Sequence, residues 1–151
     1  MSALLTPEML AHVGRQRPPR TEVVTRRDIR KYAVATGQRL RKYLDGDEAP
    51  PLFHVALFWD VVERDALSAD GVSVDPLLPA LPLTRAMAGG IAVRYQRPVR
   101  PGDTLVARRT LTDLYEKAGR SGALLFYDVT LEITLDSGEP VLTERTTRLL
   151  R

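Results

Sequence analysis

Between Leu77 and Leu105 the chain reads LLPALPLTRAMAGGIAVRYQRPVRPGDTL, and this stretch limits the possible folds more than any other. Pro79 and Pro82 stiffen a loop, Gly89-Gly90 opens a strand, Pro98 and Pro101 close it, and Gly102-Asp103 turns the chain into the next strand. A strand specified so closely at both ends is aimed at one position in a sheet.

The residues that follow supply its neighbours. Val129, Leu131, Ile133 and Leu135 alternate with Thr130, Glu132, Thr134 and Asp136, the pattern of a half-buried strand. Asp136-Ser137-Gly138-Glu139 reads as a hairpin turn, and Thr104–Tyr115 and Val141–Leu150 are long enough to pair on either side. Lys117 to Gly122 makes the intervening loop. Four antiparallel strands are expected.

The N-terminal half reads as helical. Thr6-Pro7-Glu8 is an N-cap followed by Pro at the first helical position, which predicts a short helix from Pro7 to about Val13. Extended residues around Glu22–Val24 lead to Thr25, which caps RRDIRKYAVAT with Asp28 three residues on, and Gly37 stops that helix. Gln38–Pro51 is polar and turn-rich. His54–Leu67, HVALFWDVVERDAL, predicts the longest helix: Val55, Phe58, Trp59 and Val62 repeat at three and four, and Leu57 and Val61 widen the stripe until the helix must be largely buried. Ser68–Pro76 reads as an exposed turn or short insertion. An α+β domain with one long buried helix wrapped by an antiparallel sheet accounts for these elements.

Composition sets the outer bounds. At 151 residues and 44% hydrophobic the chain is one domain, 1–151, able to bury a core without staples. It has no Cys, which excludes disulfide frameworks, thiolate metal sites and cysteine nucleophiles. MSALLTPEMLAHVGR carries neither a charged leader nor a long apolar run, and the expectation is a cytoplasmic protein. The net charge of +3 is uneven: ten Lys or Arg lie between Arg15 and Lys42 against only Glu22 and Asp28. That block is either a solvated face or an electropositive rim for a phosphate-bearing partner such as coenzyme A or an acidic carrier protein. With only Tyr32 and Tyr43 as aromatics and no reading motif, it is not expected to bind nucleic acid.

Two runs carry a resemblance: Thr84-Arg85-Ala86-Met87-Ala88-Gly89-Gly90, and Tyr95-Gln96-Arg97-Pro98-Val99-Arg100-Pro101-Gly102-Asp103 with DLYEKAGRSGALLFYDVTLEI beyond. In this order and spacing the chain resembles, over roughly Thr25–Arg151, the FAS1-like dehydratase domain of the MaoC group of hotdog-fold proteins. It is most similar to the N-terminal half of two-domain hydratases of the mesaconyl-CoA and 3-hydroxyacyl-thioester type. The resemblance implies a hotdog fold, an acyl-thioester substrate whose coenzyme A or carrier pantetheine is part of that substrate, no other cofactor, and a dimer-like unit.

Proton transfer is where the chain departs from the family. MaoC-type hydratases place an Asp and a His in a run after the first helix, because one proton must leave carbon two while the hydroxyl at carbon three is protonated and departs. The matching run here is Gly37-Gln38-Arg39-Leu40-Arg41-Lys42-Tyr43-Leu44-Asp45. Gln38 takes the Asp position and Tyr43 the His position; Gln does not titrate, and Tyr, with an ordinary pKa of about 10, is a poor base. Asp45, the later acidic position, reads as a turn or cap residue. His12 reads as a surface residue. His54, at the start of the predicted buried helix, is the remaining candidate, with packing or capping as its alternative. No metal-ligand spacing is present.

The resemblance implies that Phe53, His54, Leu57, Phe58 and Met87 line the acyl path and that Gly89 and Gly90 let a thioester carbonyl approach backbone donors. Core packing for the apolar residues and a strand bulge for the glycines are the alternatives. The expected function is a hydratase or dehydratase subunit that completes a substrate tunnel, as a homodimer or with a separate MaoC-like catalytic hotdog chain. A hotdog thioesterase and a non-enzymatic acyl-CoA-binding subunit stay open beside it, as does whether the isolated chain is active.

Overall fold

The computed structural model describes residues 4–69, 71–120 and 122–151. Thr6 caps α1 (Pro7–Leu10), its hydroxyl accepting the Met9 N–H at 3.3 Å, and the helix is one turn shorter than expected. β1 (Arg20–Val23) is followed by α2 (Arg26–Ala35), where the Thr25 hydroxyl accepts the Asp28 N–H and donates to the Asp28 carboxylate at 2.6 Å. This is the expected capping box, and α2 lays Ile29 and Ala33 into the core. Within the stretch read as turn-rich, α3 (Arg41–Leu44) makes a single turn. It ends on Asp45, whose carboxylate pairs with Arg41, and on Gly46, whose φ of +76 and 2.8 Å approach to the Arg26 carbonyl oxygen leave no room for a Cβ.

The helix expected over His54–Leu67 is corrected to α4 (Phe53–Phe58). Arg20 donates to the Phe58 carbonyl oxygen at 3.0 Å and to Asp60 at 3.0 Å, and Arg17 reaches Asp60 at 2.6 Å. A helix-terminal carbonyl is thus satisfied by a side chain instead of by the next turn, and the chain leaves extended at Trp59, with ψ of 137°. The adjacent β-branched Val61-Val62 pair offers little helix propensity to oppose this. Trp59 is 57% exposed and Val61 fully so; the buried part of the expected stripe is confined to the first turns. One 3₁₀ turn, Arg64–Ala66, follows. Ser68–Pro76 is irregular, with Asp70 outside the described residues. Among the described residues no helix is long and apolar enough to cross a membrane.

β2 (Ala86–Tyr95), β3 (Thr104–Gly119), β4 (Gly122–Leu135) and β5 (Pro140–Leu150) join β1 in one antiparallel sheet of order β1-β3-β4-β5-β2. Five strands replace the expected four because β1 pairs with the start of β3, Arg20 opposite Ala107. β2 starts and ends three residues earlier than Gly89 and Pro98 suggested: the glycines do not open it but sit at a register shift against β5, a bulge inside the strand. The expected loop at Lys117–Gly122 is reduced to a tight connection, since β3 runs to Gly119 and β4 starts at Gly122, with Ser121 outside the described residues.

One face of the sheet carries the core. On β4, Leu125, Tyr127, Val129, Leu131 and Ile133 are buried at every second position. At one end of that face Leu105, Leu131, Ile133 and Leu142 pack against Ile29 of α2 and Phe53 of α4. At the other end Leu111, Leu114, Leu125 and Leu150 pack beneath Leu77, Leu78, Leu81 and Leu83 of the proline-rich loop. Full burial of each such leucine contributes about 1.5–3 kcal/mol. The two clusters leave a space between them, and the candidate site lies there.

Candidate functional site

α4 begins abruptly. Leu52 holds a positive φ of 65°, and its N–H donates to the Tyr95 hydroxyl of β2 at 2.9 Å, so the helix start is tied to the sheet edge. His54, one residue into the helix, is thereby aimed down onto β5. Its Nε2 lies 2.6 Å from Oε2 of Glu144, and the Thr146 hydroxyl donates to Oε1 of the same carboxylate at 2.8 Å. His54 is 2% exposed and Glu144 is 8% exposed. Burial alone pushes the Glu144 carboxyl up, but the hydrogen bonds from His54 and Thr146, with the charges of His54 and Arg109, outweigh it and hold the group below its ordinary range.

This pair stands where two cavities meet. The smaller, about 330 Å³, is bounded by Tyr43, Phe53, His54, Tyr95, Arg97 and Leu142. The larger, about 600 Å³, lies between the sheet and the segment from Phe58 to Ala86, and its lining is mostly apolar. A polar stripe crosses its floor. Glu144, Thr146 and Arg148 occupy successive inward positions of β5, and Arg109 of β3 donates to Asp75 of the covering segment at 2.6 Å. Among the described residues no three His, Asp or Glu side chains converge as a metal-ligand set.

The residues singled out by the sequence fall into three groups. His54 borders both cavities, Phe58 the larger, and Phe53 the smaller, where its ring meets Tyr32 edge-on at 5.6 Å. Leu57 packs against the core and borders neither cavity. Met87, Gly89 and Gly90 lie exposed on β2, away from both linings; a Cβ at Gly89 would stand 2.9 Å from the Thr147 carbonyl oxygen, so the glycine serves strand packing there. Gln38 is half-buried behind α2 and Tyr43 borders the smaller cavity under the Lys42 ammonium, 4.9 Å from its ring. Neither touches the His54–Glu144 pair by hydrogen bond. Nδ1 of His12, just past the end of α1, lies 3.1 Å from the Glu8 carbonyl oxygen, to which it donates.

Sequence reasoning passed over Glu144, Arg109 and Arg148. One signal was available: on β5 the positions from Thr143 to Arg148 are polar on both faces, which a strand paired on both sides sustains only when its inward polar groups find partners. Which partners they find is decided by tertiary structure.

Comparisons with known proteins agree with this architecture. The family model described as "FAS1-like, dehydratase domain region" matches residues 11–144. Mesaconyl-C(4)-CoA hydratase of Chloroflexus aurantiacus is 32% identical over 85 residues, which are 56% of this chain but only 30% of that relative. A UPF0336 protein of Streptomyces coelicolor is 32% identical over 143 residues, 92% of each chain. A chain of the ChsH1-ChsH2 complex from Mycobacterium tuberculosis superposes with a TM-score of 0.67 at 17% identity, covering 94% of this chain and 86% of that one.

Proposed function

The chain belongs to the FAS1-like dehydratase family of hotdog-fold hydratases and dehydratases, and from that membership we propose that it is the acyl-binding half of a hydratase or dehydratase acting on acyl thioesters. The observation that carries this reading is the cavity of about 600 Å³ set into the inward face of the sheet, large enough to bury a long organic group. The segment that would bear an acid/base dyad instead presents Gln38 and Tyr43, neither of which borders that cavity. On this reading the Asp and His that move protons belong to a second hotdog chain, which meets this one along β2.

Two further features support it. β2 is a sheet edge with Met87, Ile91 and Tyr95 exposed along it, the kind of edge that a neighbouring strand covers. Arg30, Lys31 and Arg39 lie exposed on the N-terminal side, without ion-pair partners among the described residues, where phosphates of coenzyme A or acids of a carrier protein would find them. On this reading the reaction runs in the cytoplasm, and the pantetheine belongs to the substrate.

A second reading is favoured by the His54–Glu144 pair. A carboxylate that fixes one nitrogen of an imidazole lining a cavity is an arrangement suited to general base catalysis. In that case the chain would add water to the double bond itself, or cleave the thioester.

Both readings meet in one assay. The purified chain, and the chain co-expressed with a hotdog partner bearing the Asp and His, are tested for hydration of a short enoyl-CoA by loss of enoyl absorbance. No turnover alone, turnover in the complex and a stable complex on gel filtration are the expected results. Hydration by the chain alone, lost in His54→Asn, would overturn the acyl-binding-half reading; thioester cleavage in its place would favour a thioesterase.

A further inference from the structure

One charge at the large cavity has no protein partner among the described residues, and it defines a ligand. Besides Tyr127, the titratable residues lining the cavity are His54, Asp60, Asp75, Arg109, Glu144 and Arg148. Each anion among them already has a protein partner: Asp60 is held by Arg17 and Arg20, Asp75 by Arg109, and Glu144 by His54. Arg148 has no carboxylate within ion-pair distance among the described residues, although it is half-buried and borders a mostly apolar space. An arginine cannot shed its charge to escape such a site, so the favourable solution is an anion brought by the occupant. Its planar fork matches a carboxylate, with two parallel hydrogen bonds.

Position strengthens the case. Arg148 and Glu144 point to the same face of β5 four residues apart, so their backbone positions are about 13 Å apart along the cavity floor. Leu83, Ala86 and Leu150 border the cavity near the arginine, and Phe58, Val129 and Leu131 line the interval. A chain lying over this floor would pass Thr146, have the apolar side chains of the rest of the lining around it, and meet a fixed positive charge at one end.

We infer that the large cavity binds an aliphatic chain bearing a terminal carboxylate, which pairs with Arg148. That carboxylate comes either from a free fatty acid or from the far end of a dicarboxylic acyl group linked as a thioester; only the second source rests on the acyl-thioester reading above. A plain alkyl tail would leave the guanidinium desolvated and unpaired, and would be the poorer ligand.

Titration calorimetry on the full chain tests this with decanoate, decan-1-ol, decanoyl-CoA and the mono-coenzyme A thioester of decanedioic acid. Variants are Arg148→Gln, Arg148→Lys and, as a control at an exposed position of β3 outside both cavities, Arg108→Gln. At least one carboxylate-bearing probe is expected to bind tenfold or more tightly than its uncharged counterpart. Arg148→Gln removes that difference, Arg148→Lys restores part of it, and Arg108→Gln leaves it unchanged. Preference for decanoate over decanol assigns the free acid, and preference for the dicarboxylic thioester over decanoyl-CoA assigns the thioester. Should Arg148→Gln fail to fold, the carboxylate preference of the native chain and its decline with salt decide the matter.

Equal affinity within both pairs, or the same loss in Arg108→Gln as in Arg148→Gln, overturns the inference. Tight binding of both thioesters with no carboxylate preference would overturn it while leaving the acyl-thioester reading intact. Arg148-dependent binding of decanoate with no binding of either thioester would do the reverse.

Discussion

Glu144 is held in its ionised form by His54 and Thr146 against the opposing effect of burial, and that has a signed consequence for stability. Because its folded-state pKa lies below the ordinary value, the stability it contributes is complete above the unfolded pKa of about 4.3 and is lost as pH falls through the lower folded value. Glu144→Gln is therefore expected to be less stable at pH 7 by about 1–3 kcal/mol, since a charge-assisted bond is replaced by a neutral one in a buried place. Urea unfolding between pH 7 and pH 3 should show the two proteins converging at the acid end. A constant gap across that range would mean that the loss is one of packing. Asp128 has a lowered pKa as well: burial opposes its charge, but the Thr147 and Arg145 hydrogen bonds prevail, so some acid sensitivity persists in the variant. At this scale the sequence disclosed half of the pair. His54 stood out as one of only two histidines and at a helix start, but its partner lies ninety positions away on β5, and the polar run from Thr143 to Arg148 marks no one of its residues as that partner.

Among the elements, α4 shows how a sound periodic pattern is overridden. Three- and four-residue spacing runs through Val62, yet Arg20 takes the Phe58 carbonyl and, with Arg17, captures Asp60, so the chain departs at Trp59. Periodicity records which side chains would share a face and carries no information about an arginine from β1 arriving at the helix end. The burial that results is testable. Val61→Ser is expected to change unfolding free energy by no more than about 0.5 kcal/mol, as at other exposed sites, whereas Phe53→Ala should cost about 3–5 kcal/mol for the cavity it opens. A large effect at Val61 in the isolated chain would mean that the helix continues past Phe58 and buries it. The strands were far more legible than the helix, because alternation on β4 depends on one buried face that its own residues specify. β2 was misplaced by three residues for a local reason: Gly89-Gly90 carries the composition of a strand boundary but serves as a bulge against Thr147.

At the scale of the whole molecule, the five-stranded sheet ends at β2 with a mostly exposed strand. Association along that edge should be abolished by Ile91→Lys, because a charge on an edge strand blocks strand addition. Light scattering after gel filtration would show a dimer or heterodimer for the native chain and a monomer for the variant, with the melting curve of the monomer little changed. A dimer that survives the substitution would move the interface elsewhere. Partnership of this sort is legible in a sequence only through likeness to a family, since an edge strand and a central strand differ in what lies beside them. The segment between Trp59 and Arg85 has a different consequence. It covers the large cavity, yet among its described residues regular hydrogen bonding is limited to a 3₁₀ turn and the bridge between Leu67 and Ser73, while the sheet beneath is laddered from end to end. Its amides should therefore exchange with deuterated solvent through local opening, orders of magnitude faster than those of β4. The route by which a ligand reaches the cavity would then be a breathing motion of the cover, with a free energy well below that of global unfolding.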